Sequence, residues 1–161
     1  MAHKILISKF LLLLLLLSYN FLNAKTIIGK PKIIDGDTIH IDKNKIRLHG
    51  IDAPETKQKC LIDSEEWFCG KHSTNELKKL INDQVVKCIV KDIDIYNRFV
   101  AVCLIDTIDL NRLMVMSGWA VAYRYYSTDY IIEENFARDR KLGIWKSQFL
   151  KPHIFRKQNR N

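Results

Sequence analysis

Several things are missing from this sequence, and each absence removes a class of protein. The four cysteines, Cys60, Cys69, Cys88 and Cys103, include no Cys-x-x-Cys pair, which argues against a zinc ribbon. None has a histidine partner suggested by the sequence, so thiol catalysis has no support. No internal repeat is visible. The longest apolar run, "FLLLLLLL" at 10–17, falls well short of the ~20 residues that a membrane span needs. Acids are also in deficit. The chain has 18 Asp and Glu against 26 Lys and Arg, a formal charge of +8. Such a balance favours a polyanionic partner, either nucleic acid or an acidic membrane surface. The 161 residues suffice for one domain with a real core.

The N-terminus reads as an address rather than as part of that domain. His3, Lys4 and Lys9 give a positive start, the apolar run follows, and "SYNFLNA" leads to Ala24, a small residue at a cleavage point. This is the layout of a secretory signal peptide over 1–24, with an uncleaved anchor as the alternative. Lys4 and Lys9 leave with the signal and no acid does, so the remainder stays basic. An even cysteine count in an exported protein points to two disulfides. Three pairings are possible. Cys60–Cys69, which closes a short loop, and Cys88–Cys103, which could face each other across a hairpin, are favoured over the other pairings and over free buried thiols.

The expected domain covers 25–148. Apolar, β-branched clusters at Ile27-Ile28, Ile33-Ile34, Ile39–Ile41 and Ile46-Leu48-Ile51 predict strands, with a hairpin turn at Lys43-Asn44. Residues 56–70 read as a polar loop. "HSTNELKKLIN" (72–82) predicts a short amphipathic helix capped by Ser73 or Thr74. "VVKCIV" (85–90) and "RFVAVCLI" (98–105) predict two more strands. Helices are expected over 109–118, stopped by Gly118, and over 127–145, with Glu133 and Glu134 in its first turn. Five short strands with a helix after the third give an α+β class: a five-stranded oligonucleotide-binding (OB-fold) barrel with three helices. The tail 149–161 is basic and reads as a solvated end, with weak phosphate contact as the alternative.

Two acidic clusters carry the chemistry. In "KIIDGDTIHI" (32–41), Asp35 and Asp37 flank Gly36 at the mouth of a strand. A turn would explain them, since Asp-Gly is a strong turn dipeptide. Period-two counting places Asp37 on the inward face with Ile39 and Ile41, so it emerges at a barrel rim. In "RLHGIDAPE" (47–55), Pro54 forces a turn where Asp52 and Glu55 stand. Asp37 and Asp52 can therefore meet, and two hard oxygen ligands suit Ca²⁺ or Mg²⁺ better than zinc. "DIDIYNR" (92–98) adds Asp94, Tyr96 and Arg98. Arg47 and Arg98 with these acids form a sufficient set for metal-assisted phosphodiester hydrolysis. Trp119 and Trp145 read as packing residues, and His40, His49 and His72 as ordinary surface or strand positions.

"IDGDT" (34–38), "RLHGIDAPET" (47–56), "DIYNR" (94–98), "LNRLMVMSGWAVAY" (110–123) and "GIW" (143–145) stand in the order and spacing of the thermonuclease (staphylococcal nuclease) family. The resemblance covers nearly all of 30–146, and the cysteines and "WAVAYRYYSTDY" look more like its exported, cysteine-containing bacterial branch. It implies an OB-fold barrel with three helices and Ca²⁺-dependent cleavage of DNA and RNA. Single strands are preferred, sequence specificity is slight and the products are 3′-phosphates. Carried over by motif, Asp37, Asp52 and the backbone carbonyl of Ala53 are calcium ligands. Glu55 is the general base, Arg47 and Arg98 grip the phosphate, and Tyr96, Tyr123 and Tyr125 contact substrate. Two departures stand out: Asn97 replaces a glycine, which asparagine's tolerance of positive φ accommodates, and Ile95 replaces a phosphate-binding lysine. The expectation is a monomeric exported nuclease, periplasmic or secreted. The rivals are a non-catalytic OB-fold nucleic-acid-binding module and a basic protein that binds an envelope polymer.

Overall fold

The computed structural model describes residues 25–159. The expected signal peptide, 1–24, lies outside the described residues. Among the described residues, no helix is long and apolar enough to cross a membrane.

The apolar alternation builds a curled sheet. Strands β1 (Thr26–Gly29), β2 (Lys32–Ile33), β3 (Thr38–Ile41) and β4 (Asn44–Leu48) are followed by the two-residue β5 (Ile51–Asp52). A small hairpin, β6 (Cys60–Ile62) and β7 (Glu65–Trp67), precedes helix α1 (Cys69–Ile81). The long strands β8 (Val86–Ile93) and β9 (Phe99–Ile105) come next, then β10 (Ile108–Asp109), α2 (Leu110–Met116), β11 (Val121–Ala122), α3 (Ile131–Asp139) and α4 (Pro152–Gln158). The main sheet runs β1-β8-β9-β4-β3-β2, with β10 paired to β9. All its pairings are antiparallel except β4 with β9. The sheet closes on itself: a Cβ on Gly29 of β1 would stand 2.6 Å from Ile41 of β3. This is a mixed α+β, OB-fold-like barrel, as expected. Ile39, Ile41, Ile46, Leu48, Val86 and Ala101 fill its interior, and Leu77, Ile81, Leu110 and Met114 close it from the helices.

Both favoured disulfides are present. Cys88 and Cys103 are direct partners in the β8–β9 register, and Cys60–Cys69 ties β6 to the start of α1. That second bridge explains one difference from the sequence reading. Helix α1 starts at Cys69, not at 72, and Ser73 and Thr74 are not its caps. They turn inward: the Ser73 hydroxyl donates to the Trp119 carbonyl at 2.7 Å and Thr74 donates to the Gly70 carbonyl at 3.0 Å. The loop expected over 56–70 also holds the β6–β7 hairpin, whose turn residues Asp63 and Ser64 both have positive φ.

The last expected helix, 127–145, is shorter. It covers Ile131–Asp139 and is followed by a 3₁₀ turn at Gly143–Lys146. The break has a packing cause. Gly143 and Gly118 meet backbone to backbone, so a Cβ on Gly143 would stand 2.2 Å from the Gly118 carbonyl oxygen. Both have positive φ, which glycine adopts with the least strain. Trp119 and Trp145 pack around buried Cys60, Cys69, Val121 and Ile144, as expected. A fourth helix was not anticipated. Pro152 at its first turn sets its start, a position where proline's missing N–H costs nothing.

Candidate active site

Arg47 organises the site. It lies on β4, opposite Thr38 in the register with β3. Its guanidinium forks between two carboxylates: Nη1 donates to Asp37 Oδ1 and Nη2 to Asp52 Oδ1, both at 2.8 Å. Asp37 precedes β3 on the inward face and is 2 % exposed; Asp52 ends β5 and is fully buried. The Ala53 N–H donates to Asp37 Oδ2 at 2.7 Å, and the Thr38 hydroxyl donates to Asp37 Oδ1 at 3.0 Å. The two acids of the separate motifs therefore converge on one cationic group, as the period-two argument predicted.

Gly36 sits between Asp35 and Asp37 because of crowding. A Cβ there would stand 2.1 Å from the Ser73 hydroxyl and 2.8 Å from Ala53. The Asp-Gly-Asp stretch is thus both a tight passage and a carboxylate cluster. Burial followed by the neighbouring Asp37 charge pushes the Asp35 carboxyl up to about 7. Burial and Asp37 also raise Asp52, against the opposing pull of Arg156 and Arg47. On Arg47, burial acts against the charge, but Asp37 and Asp52 outweigh it and hold the guanidinium charged.

Glu55 stands just beyond the Pro54 turn, partly exposed, above these aspartates. Its backbone is fixed from two sides. Gln58, fully buried, donates its N–H to the Glu55 carbonyl at 2.7 Å, while its side-chain oxygen accepts from the Glu55 N–H at 3.3 Å. Gly70 of α1 presses against the same carbonyl: a Cβ on it would lie 1.7 Å from the Glu55 oxygen.

A groove of about 1130 Å³ runs over this floor. Arg47, Glu55, Arg98, Tyr96 and Tyr123 line it, with Lys45, Lys91, Arg156 and Lys157 along its walls. Arg98 comes from the β8–β9 hairpin, where Asp94 holds its Nε and Nη2 at 2.8 and 2.7 Å. The turn depends on Asn97, whose φ of 59° is the left-handed conformation expected of it. Ile95 projects from the hairpin tip, 92 % exposed. Tyr125 is not a groove-lining residue; it is 82 % exposed and packs edge-on against Tyr126, which does line the groove. His40 and His49 make no bond to the acids, and His49 pairs with Asp129 at 3.0 Å instead.

A profile described as "Staphylococcal nuclease homologue" matches residues 45–147. The chain belongs to this family. It is 35% identical over 141 residues to "Succinoglycan biosynthesis protein ExoI" of Rhizobium meliloti (strain 1021), covering 83% of this chain and 72% of that protein. It is 36% identical over 121 residues to an "Uncharacterized endonuclease" of Escherichia coli O157:H7, covering 71% and 73%. It is 33% identical over 132 residues to "Micrococcal nuclease" of Shigella flexneri, covering 71% and 70%.

The residues of this family member fit a hard divalent cation. Among the described residues, no group of three or more His, Cys, Asp or Glu side chains is placed to hold a metal on its own. Two carboxylates supplemented by a backbone carbonyl is the donor set that the family resemblance implies, and Asp37 and Asp52 already share one cationic partner. Four carboxyls, Asp35, Asp37, Asp52 and Glu55, stand against two guanidiniums, Arg47 and Arg156. Acids outnumber guanidiniums in this cluster, so it has a deficit of positive charge. Oxygen donors with that deficit suit calcium or magnesium.

Sequence reasoning missed His153 and Arg156. The tail expected to be a solvated end is helix α4, and it enters the site. The Arg156 guanidinium bonds Asp52 and Glu55, and the His153 N–H bonds Asp52. The only signal was "KPHIFRKQ", a proline placed to open a helix before two basic residues.

Proposed function

We propose that this chain is a calcium-dependent phosphodiester hydrolase that cuts DNA and RNA internally, prefers single strands and leaves 3′-phosphates. The observation that carries this reading is the Arg47 fork between two buried aspartates, set under a basic groove with Glu55 beside it. Asp37, Asp52 and the Ala53 carbonyl would hold the ion. When bound, calcium neutralises and polarises the phosphate oxygens.

The protein's own groups do the rest. Glu55 is exposed enough to meet a water and takes its proton as the water oxygen bonds to phosphorus. Arg98 offers its guanidinium to the phosphate oxygens, and Arg47, held between Asp37 and Asp52, sets its positive charge beneath the phosphate; together they stabilise the charge of the five-coordinate transition state. The bond to the 5′ oxygen then breaks, that oxygen leaves as a hydroxyl with a proton from solvent water, and the phosphate stays on the 3′ side. Tyr96 and Tyr123 supply ring faces in the groove for flanking bases, and exposed Tyr125 offers one outside it. The basic walls contact phosphates, which carry no sequence information, so base preference is slight. Two disulfides accord with work outside the cytosol, in the periplasm or the medium.

The test is cleavage of denatured DNA by the purified protein, with calcium and with chelator, beside Glu55→Gln. Calcium-dependent cutting that falls ~10²-fold or more in the variant supports the reading and names the base. A folded wild type that binds DNA without cutting it in calcium would instead support a non-catalytic nucleic-acid-binding module.

A further inference from the structure

Helix α4 lies beyond the residues that the family profile matches, which end at 147. It nevertheless delivers three bonds into the carboxylate cluster. The His153 N–H donates to Asp52 Oδ2 at 2.9 Å, Arg156 Nη2 donates to Asp52 Oδ1 at 2.7 Å, and Arg156 Nη1 donates to Glu55 Oε1 at 2.9 Å. The segment leading into the helix is fastened as well. Leu61 and Gln148 exchange backbone bonds of 2.9 and 2.8 Å, and buried Gln58 donates its amide to the Leu150 carbonyl at 2.7 Å. Gln58 is the same residue that fixes the Glu55 backbone. The helix is therefore docked on the site through the support of Glu55, and Arg156 does not reach it by chance.

Arg156 binds the two carboxylates that the proposed chemistry needs free. Asp52 Oδ1 already accepts from Arg47. A guanidinium on that oxygen repels a divalent cation placed beside it, and one on Glu55 Oε1 blocks water from that oxygen. Of the two arginines, Arg156 is the one able to leave. Arg47 sits in a strand between two hydrogen-bonded neighbours, whereas Arg156 rides on a seven-residue helix and its side chain is the more exposed of the two.

We propose that Arg156 is a built-in counter-ion: it holds Asp52 and Glu55 paired in the metal-free protein, and calcium displaces it. The inference rests on the calcium site proposed above. Calcium and α4 then compete for the same oxygens, so each weakens the other by the same factor.

The experiment is calorimetric titration of calcium chloride into the purified full-length protein and into R156Q and R156K, without nucleic acid. R156Q is expected to bind about tenfold more tightly than wild type, with R156K between them. Hydrogen exchange on the wild type gives a reading that needs no variant. Amides of 153–158 should exchange faster as calcium is added, saturating over the concentration range of the calorimetric curve. Equal or weaker calcium affinity in R156Q, or α4 amides that calcium leaves unchanged or protects, overturns the inference while the calcium site stands. No calcium binding by any of the three proteins overturns the site itself, and the inference falls with it.

Discussion

Two arginines meet at one oxygen of Asp52, and they arrive by different routes. Arg47 Nη2 lies 2.8 Å from Oδ1 and Arg156 Nη2 lies 2.7 Å from it. Arg47 belongs to β4, which pairs with β3 on one side and β9 on the other, inside the family-matched domain. Its position is fixed by a ladder of backbone bonds, and its side chain is 13 % exposed. Arg156 belongs to a short helix outside that domain, and its side chain is twice as accessible at 26 %. Near-identical bond lengths thus conceal different costs of removal. One ion pair is part of the barrel, and the other closes a face of it.

Breaking the first pair should have the largest effect. Arg47→Gln leaves Asp37 without its guanidinium and Asp52 with Arg156 alone, and both acids are buried. Removing one partner of a buried ion pair costs about 3 kcal/mol or more. Urea denaturation in chelator should show that loss, and added calcium should recover part of it. A loss below about 1 kcal/mol would mean that water reaches these carboxylates and that the pair behaves like a surface one.

Gly70 sharpens the comparison from the side of Glu55. Its approach to the Glu55 carbonyl leaves no space for a methyl group. Gly70→Ala should cost about 1–3 kcal/mol, as overpacked sites do, and should lower cleavage at temperatures where the protein is still fully folded. Full activity in a destabilised variant would detach the α1 contact from the placement of the base. Arg156→Gln should cost less, about 1 kcal/mol, because Arg47 stays on Asp52 and the Glu55 side chain is 34 % exposed. If it destabilises as much as Arg47→Gln, the two arginines are equivalent and the contrast between them fails.

The contrast also marks what could be read from the residues. The floor of the site was legible because it is local. Asp37 shares a face with Ile39 and Ile41, a turn joins β3 to β4 at Asp42-Lys43, one residue before the expected Lys43-Asn44 break, and Pro54 turns the chain at Asp52. Asn97 likewise sits where a left-handed residue closes the hairpin that carries Arg98. What escaped is held by distant partners. Ser73 and Thr74 have the chemistry of caps, yet a disulfide at Cys69, four residues before Ser73, starts the helix early and turns them inward. The 127–145 pattern carries a helix's spacing, but the contact between Gly118 and Gly143 ends it. Arg156 reaches across about a hundred residues to Asp52 and Glu55, and a seven-residue helix is too short for periodicity to announce it.

Asp35 is the acid that neither arginine neutralises, and it gives the finest test of the cluster. Among the described residues it makes no ion pair; it accepts the Asp37 N–H at 2.9 Å and faces the Asp37 and Glu55 charges. Burial first, and then Asp37, raises its carboxyl to about 7, above the ~3.9 of an unfolded aspartate. The folded state therefore binds this proton more tightly than the unfolded state. The stability that the proton contributes is complete below about pH 4 and is lost as pH rises through about 7. Asp35→Asn carries a neutral side chain at every pH. In chelator at pH 8 it should melt a few degrees above wild type, and the gap should shrink steadily toward pH 4. Calcium should narrow the gap at pH 8 as well, because a cation beside Asp37 relieves the repulsion on Asp35. A gap independent of both pH and calcium would remove Asp35 from the charge cluster and return it to the role of a turn residue.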